Sequence, residues 1–598
     1  MTNDEKLKNL ILHENAYFFT KDTSGFLSKA KILQIFKAAS EDKRSQNLLK
    51  IEPVLKTFDN GREAKYSVIV FKYEKKAPFI DEPVDKWEEW KLAFLCIVDF
   101  EEYIVISRRN ISNISEYLVD FQPLDYSILT SIFLDDTTTY EKFTMDNISI
   151  APNAMRQKMV ESTNLQDILS GLGLQTYTLN NARIRQGDQQ VGLALKTSRI
   201  NNLGEKKDIF SLFRWANDMV SLIENCQPTE GFLASFAKPI NFSDYSSTLT
   251  PNAILITLSK LYSDFEASKI RRCFIKYKDR EKNINLLKFL KGFETYMEIV
   301  QDAGVYSIPH SSIDDLRVSK NLKSITLQSQ KLSNVYIEYE NNFTQRILAS
   351  INSNNSFIVT FEDAEFIFTN RKLFKDSRLL GNIDVLLKIF VPYSDLENTL
   401  TEKGSFNASS TQFSSNSVFG FVENQFKANF DYFICDDLAR EWADFIGIND
   451  NEIGFFHAKS SDKILSASAF QDIVGQTLKN LGNILPTDDQ FVIKQNLWNE
   501  KYKNNRIATQ ISRVRTGQRS EDLIEDYKKI KTYPNLQKSV YLVVDFISKS
   551  TLEDRLVKLQ NNESFRERNE VIQILWFISS LISSCADAGT QVFICCKP

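Results

Sequence analysis

Glycine and histidine are scarce in this 598-residue chain, which has 19 glycines and three histidines (His13, His310 and His457). So little glycine argues against a flexible linker protein or a fibrous repeat. The seven cysteines (Cys96, Cys226, Cys273, Cys435, Cys585, Cys595 and Cys596) contain no CxxC pair and no metal-like spacing. An odd, scattered set fits a reducing cytosol better than a disulfide framework. The phosphate-loop pattern GxxxxGK[ST] does not occur, which excludes an ATP-driven motor of the usual form. No repeat with a period of about 20 to 50 residues is present, so a solenoid is not expected. The longest apolar run, Val571 to Ile582, contains Ser579 and Ser580; it is too short to span a bilayer and reads as a buried helix. The N-terminal stretch MTNDEKLKNLILHENAYFF mixes acids with its lysines and lacks a signal-peptide core. A cytoplasmic protein with no membrane partner is expected. The formal charge of −4 excludes a global basic field, so any nucleic-acid surface must be local.

Phenylalanine is plentiful (44), and 42% hydrophobic with 25% charged residues is the composition of an ordinary soluble globular protein. The chain exceeds one core, and its element signals give a mixed α/β (α+β) multidomain class. Residues 1–205 read as a strand-rich α+β domain of unknown fold. YSVIVFKYEK (66–75) is a strand, LAFLCIVDFEEYIVIS (92–107) is two strands or one bent one, and Gly187-Asp188 turns a hairpin. Residues 206–402 read as a mixed helical and β domain. Phe210, Phe213, Trp215, Met219 and Ile223 fall near helical spacing over 208–225. A second helical region is expected over 253–303, with a basic cluster from Lys269 to Lys282 read as solvated surface. Strand-like runs return at VYIEYE and SFIVTFEDAEFIFT. KGSFNASSTQFSSNSV (403–418) is a Ser/Asn-rich linker, and residues 419–598 form the last domain.

That last domain is read element by element. DYFICDDL (431–438), EWADFIGI (441–448) and NEIGFFHAKSS (451–461) form a strand meander. A helix over 466–484 follows, capped by Ser466 or Ser468 and apolar along Phe470, Ile473, Val474 and Leu478. SVYLVVDFIS is a strand, RNEVIQILWFISSLISSC a helix and TQVFICC a final strand, giving the order β-β-β-α-β-α-β. The stretch from Glu441 to Ser461 carries the chemistry. Asp444 lies on one strand, and His457 and Lys459 point to one face at the end of its hairpin partner. An acid set beside a polar-x-Lys can bind a metal and orient a water.

This order and these residues resemble the PD-(D/E)XK, or restriction-endonuclease-like, nuclease superfamily, over about residues 420–598. The resemblance implies a mixed sheet flanked by helices and a Mg²⁺- or Mn²⁺-dependent cut of a phosphodiester bond. Asp444 matches the metal-binding Asp, His457 the variable acid position, Lys459 the lysine, and Gln476 a glutamine on the following helix. His457 departs from the pattern, because imidazole suits Mn²⁺ or softer ions better than Mg²⁺. Three outcomes stay open: a softer ion, a shell completed by Glu441, Asp437 or Asp436, or lost catalysis. Asp436 and Asp437 read equally as turn residues, and His457 as a core histidine.

Lys494, Lys501, Lys503, Arg506, Arg513, Arg515 and Arg519 form the densest basic stretch, interleaved with Trp498 and Tyr502. It reads either as a solvated helix face or as a phosphate-contacting surface. The expected function is a metal-dependent nuclease or nuclease-derived effector, with nucleic acid as partner and DNA ahead of RNA. Residues 1–402 would sense a trigger, dock a protein partner or form a homo-oligomer, an organisation that resembles antiviral defence proteins. The alternatives are a catalytically silent nucleic-acid-binding or scaffold subunit of that fold, and a plain interaction module.

Overall fold

The structure is a computed structural model. It describes residues 2–40, 45–75, 84–87, 89–111, 118, 120–151, 153–169, 176–229, 231–278, 280–293, 296–310, 312–340, 343–354, 356–376, 380–381, 383–438, 441–504, 507–517 and 520–598. The chain divides into two compact units: residues 1–147, 157–238 and 339–343, and residues 148–156, 239–338 and 344–598. The four sequence segments are therefore regrouped, and the boundary expected near 205 falls after Lys238.

The first unit is built on an eleven-stranded antiparallel sheet. Its run LAFLCIVDF is buried on both faces, with Leu95 and Ile97 in one core and Cys96 and Val98 in the other. This follows from the period of two along a strand when both faces are covered. Helix Lys29–Ser40 covers one face through Ile32, Ile35 and Phe36. Helix Ile209–Asn225 covers the other, capped by Asp208, with Phe213 stacked on Tyr66 at 4.7 Å. The apolar stretch at 92–107 resolves into two strands, Glu89–Asp99 and Tyr103–Arg109. The expected hairpin turns at Gly187, whose φ of +56° is left-handed, with Gln186 facing Gln189.

In the second unit, the region expected to be helical over 253–303 is mostly not. Its basic cluster lies on the hairpin Ile270–Tyr277 and Arg280–Ile284, where Arg272 pairs with Glu338 at 2.7 Å. The strand-like run SFIVTFEDAEFIFT resolves into Phe357–Phe361 and Phe366–Thr369, a hairpin within a six-stranded sheet.

The C-terminal part holds a seven-stranded mixed sheet. Its elements are β1 (Phe390–Pro392), α1 (Val418–Phe426), β2 (Tyr432–Cys435), β3 (Phe445–Ile448), β4 (Glu452–Lys459), α2 (Ala467–Asn480), α3 (Asp488–Trp498), β5 (Lys501–Asn504), β6 (Ile507–Ser512), β7 (Val514–Thr516), α4 (Ser520–Ile530), β8 (Gln537–Ser548), α5 (Lys549–Gln560), α6 (Arg568–Asp587) and β9 (Gln591–Lys597). The sheet order is β1-β9-β8-β4-β3-β2-β7. β2, β3 and β4 form the antiparallel meander, while β4, β8, β9 and β1 run parallel. Between α2 and β8 the chain inserts α3, the separate hairpin β5–β6, the edge strand β7 and α4, where the sequence showed only a basic run. Ser466 caps α2 as expected, accepting from the Ala469 N–H. Among the described residues, α6 alone is long and apolar enough to cross a membrane, and 61% of its apolar window is buried. That is the burial of a core helix.

Residues 403–418 are not a free linker. Phe413 is 4% exposed and meets the rings of Phe406, Phe419, Phe445 and Tyr502 at 5.1–5.9 Å. Ser417 caps α1, and a Cβ on Gly420 would lie 2.1 Å from the Ser414 carbonyl oxygen, so that position requires glycine. The segment is a packed strap whose polar letters hide a buried anchor, Phe413, and a half-buried one, Phe406. Another short piece, Ile148–Arg156, also belongs to this unit: Asn153 donates to the Gly475 carbonyl of α2 at 2.8 Å, and the Ser149 and Ser580 hydroxyls are bonded.

Truncating the anchor tests the strap. Phe413→Ala is expected to lower the stability of the second unit by about 3–5 kcal/mol. Gln412→Ala, which is exposed, should change it by less than about 0.5 kcal/mol. Denaturant unfolding of the two variants measures both.

Candidate metal centre

β2 ends at Cys435, and the next two residues are acids that alternate between environments. Asp436 is fully buried. Its carboxylate accepts from Lys494 Nζ at 2.6 and 2.5 Å, from Trp498 Nε1 at 2.8 Å and from the Trp442 N–H at 2.7 Å. Burial pushes the Asp436 carboxyl up and the Lys494 ammonium down, and the ion pair opposes both shifts. This network ties the loop after β2 to α3. It leaves Asp436 no oxygen for a metal.

Asp437 takes the other direction. Its Oδ2 accepts from Lys403 Nζ at 2.8 Å and Tyr502 Oη at 2.9 Å. Arg513 Nη1 donates to the carbonyls of Cys435 and Asp437 at 3.2 and 3.0 Å, fixing the backbone between them. β3 begins only at Phe445, so Glu441 and Asp444 lie in the loop rather than on a strand. Asp444 is nonetheless in register: its N–H donates to the Phe456 carbonyl, and its Oδ2 accepts from the Ala458 N–H at 2.7 Å.

Carboxylate oxygens of Asp437, Glu441 and Asp444 lie within 4.8 Å of one another. Burial, then Asp437 and Glu441, raise the Asp444 carboxyl well above its usual range. Burial, then Asp437, raise Glu441. Lys403 works the other way on both. Its own ammonium is held up by Asp437, Asp444 and Glu402 against the downward pull of burial. Like charges converging in a partly dry pocket are the setting in which a cation lowers every acid at once. A donor set of carboxylate oxygens alone suits Mg²⁺ or Mn²⁺. The residues fit such an ion.

His457 does not join this group. Phe456 and Ala458 pack into the core beneath α1, so the alternation of β4 sends His457 to the face covered by α2. It is 2% exposed, its Nε2 has no hydrogen-bond partner among the described residues, and burial depresses its pKa to about 3. The imidazole is therefore neutral at physiological pH. The expected ligand His457 is thus not among the side chains whose ligand atoms converge; those are Asp437, Glu441 and Asp444.

Lys459 closes β4 with its Nζ 3.4 Å from Asp472 Oδ2 on α2. Asp472 was not singled out from the sequence. Its signal is the four-residue spacing to Gln476, which places both on one face of α2. Gln476 is half-buried. Lys403 was also missed, because its surroundings read as linker.

The basic stretch does not form one phosphate-binding face. Lys494 and Arg513 are 2% and 3% exposed and are used internally. Arg515 is bonded to Glu423 of α1. Arg506 and Arg519 lie outside the described residues. Lys501 and Lys503 remain exposed on β5, with Lys503 paired to Glu500 at 3.1 Å. Between them, Tyr502 points inward to Asp437, so one strand presents ammonium groups outward and a phenol to the acids. Comparison with protein-family models, curated proteins and solved structures returns no match.

Two measurements test this geometry. Lys494→Met leaves Asp436 buried without its counter-charge and should cost about 3–5 kcal/mol, part of which Asp436→Asn added to it recovers. A double-mutant cycle in urea reads the coupling. His457 is protonated only in the unfolded chain between its ordinary pKa of 6.5 and about 3. Its contribution is therefore complete above pH 6.5 and is lost as the pH falls from there. Between pH 7.5 and 5.5 the wild type should lose about 1.4 kcal/mol relative to His457→Phe.

Proposed function

We propose that this chain is a metal-dependent nuclease whose site lies at the β2–β3–β4 end of the mixed sheet, in a restriction-endonuclease-like domain. The observation that carries the reading is the convergence of Asp437, Glu441 and Asp444 where the meander ends, with Lys459 closing the third strand. The helix α2 and the parallel strand β8 that follow agree with the order the resemblance implies.

In this reading Asp437, Glu441 and Asp444 hold Mg²⁺ or Mn²⁺, which would lower the pKa of a bound water and offset charge on the scissile phosphate. Lys459, steered by Asp472, orients the water or neutralises the developing charge. Gln476 contacts a phosphate oxygen. Lys501 and Lys503, on the outer face of the hairpin, meet the nucleic-acid backbone away from the cut. The substrate is nucleic acid, DNA ahead of RNA. The first unit senses a trigger or docks a partner or a second copy, as in an antiviral effector. Seven free thiols, six of them buried, agree with a reducing compartment such as the cytosol.

A second reading is favoured by one observation. His457 lies outside the converging group, so its imidazole adds no fourth ligand to the acids. A silent member of the fold would bind nucleic acid without cutting it.

Plasmid, linear DNA and RNA incubated with Mg²⁺ or Mn²⁺ separate the readings. Asp444→Ala and Lys459→Ala should each reduce cleavage by about a hundredfold or more. Lys501→Ala with Lys503→Ala should instead weaken binding and flatten its salt dependence. Salt-sensitive binding without cleavage by the wild type favours the silent binder. Neither binding nor cleavage ends the nuclease reading.

A further inference from the structure

The strap from Thr401 to Ser417 delivers a lysine to the acids, and its backbone is built to hold it there. Leu400 N–H donates to Asn416, and Val418 and Phe419 N–H donate back to Thr401 and Glu402, all at 2.9 Å. Gly404 follows at a φ of +83°, with Ser414 filling the space a side chain would need. The Lys403 ammonium lies 5.0 Å from the ring centre of Phe419 and 2.8 Å from Asp437 Oδ2. Glu402 stands 3.6 Å away as an alternative partner.

Three carboxylates and one ammonium leave the ionised cluster formally two charges negative, the balance a divalent cation would neutralise. The ammonium, however, occupies the same Asp437 oxygen that already accepts from Tyr502. A divalent ion and Lys403 repel at such separations, so each weakens the other's hold on Asp437. We propose that Lys403 competes with the divalent cation for the Asp437 carboxylate and so sets the ion concentration at which the site fills. On entry of the ion the ammonium moves toward Glu402. This inference rests on the metal-dependent reading of the same acids. It makes Lys403 a positioning residue that tunes occupancy, not a group acting on the substrate.

Titrating the full chain with Mn²⁺, followed by loss of the free-ion EPR signal, tests it. Lys403→Met should lower the Mn²⁺ Kd by at least about tenfold, and Lys403→Gln by less, because an amide still bonds to Asp437. Lys403→Arg keeps the charge and should bind no tighter than wild type. Adding Asp444→Asn to Lys403→Met should remove the gain, and saturating Mn²⁺ should raise the melting temperature of Lys403→Met more than that of wild type. Wild-type or weaker Mn²⁺ binding by both Lys403→Met and Lys403→Gln overturns the proposal. The nuclease reading fails separately, if the Mn²⁺ affinities change as stated and no nucleic acid is cut. If no form of the protein binds Mn²⁺, both fail.

Discussion

The buried pair of Asp436 and Lys494 is the constraint on which the candidate site depends. A carboxylate and an ammonium removed from water are costly unless every lone pair and proton finds a partner. Here two tryptophans, Trp442 through its backbone and Trp498 through its indole, complete the set. Because Asp437 is the next residue, clamping one acid fixes the direction of the other. Arg513 strengthens the arrangement by holding both flanking carbonyls. The loop that carries Glu441 and Asp444 thus begins from an immobile point, although it belongs to no regular element.

A second constraint comes from the aromatic cluster beneath the sheet. Phe413, Phe419, Phe445 and Tyr502 meet edge to face, which joins the strap, α1, β3 and the hairpin β5–β6 in one packing unit. Tyr502 belongs to this cluster and also donates to Asp437. Movement of the hairpin that bears Lys501 and Lys503 is therefore felt at the acids, and the converse also holds.

Much of the last domain was legible because its signals were local. Ser466 before an apolar helical stripe, the Asn-Asp-Asn turn between β3 and β4, and the β-branched run of β8 each depend on nearest neighbours. The acid cluster was half legible: Asp444, Glu441 and Asp437 were visible as candidates, but only folding shows that they converge while Asp436 turns away. Strand alternation sets His457 on the same side of its strand as Lys459, toward α2, and it is the burial of His457 that the sequence did not reveal. The basic run misled because charge along the chain says nothing about burial, and Lys494 and Arg513 answer internal acceptors. The strap misled because serine and asparagine outnumbered the two phenylalanines that set its conformation.

The short piece Ile148–Arg156 bears on how this protein can be dissected. It leaves the sheet of the first unit, anchors to α2 and α6 of the second, and returns at Gln157. No single cut in the polypeptide separates the units intact. Removing everything before residue 239 strips the second unit of a native segment, leaving the Gly475 carbonyl and the Ser580 hydroxyl without their partners. A phenotype from deleting either stretch of sequence therefore reports on both units.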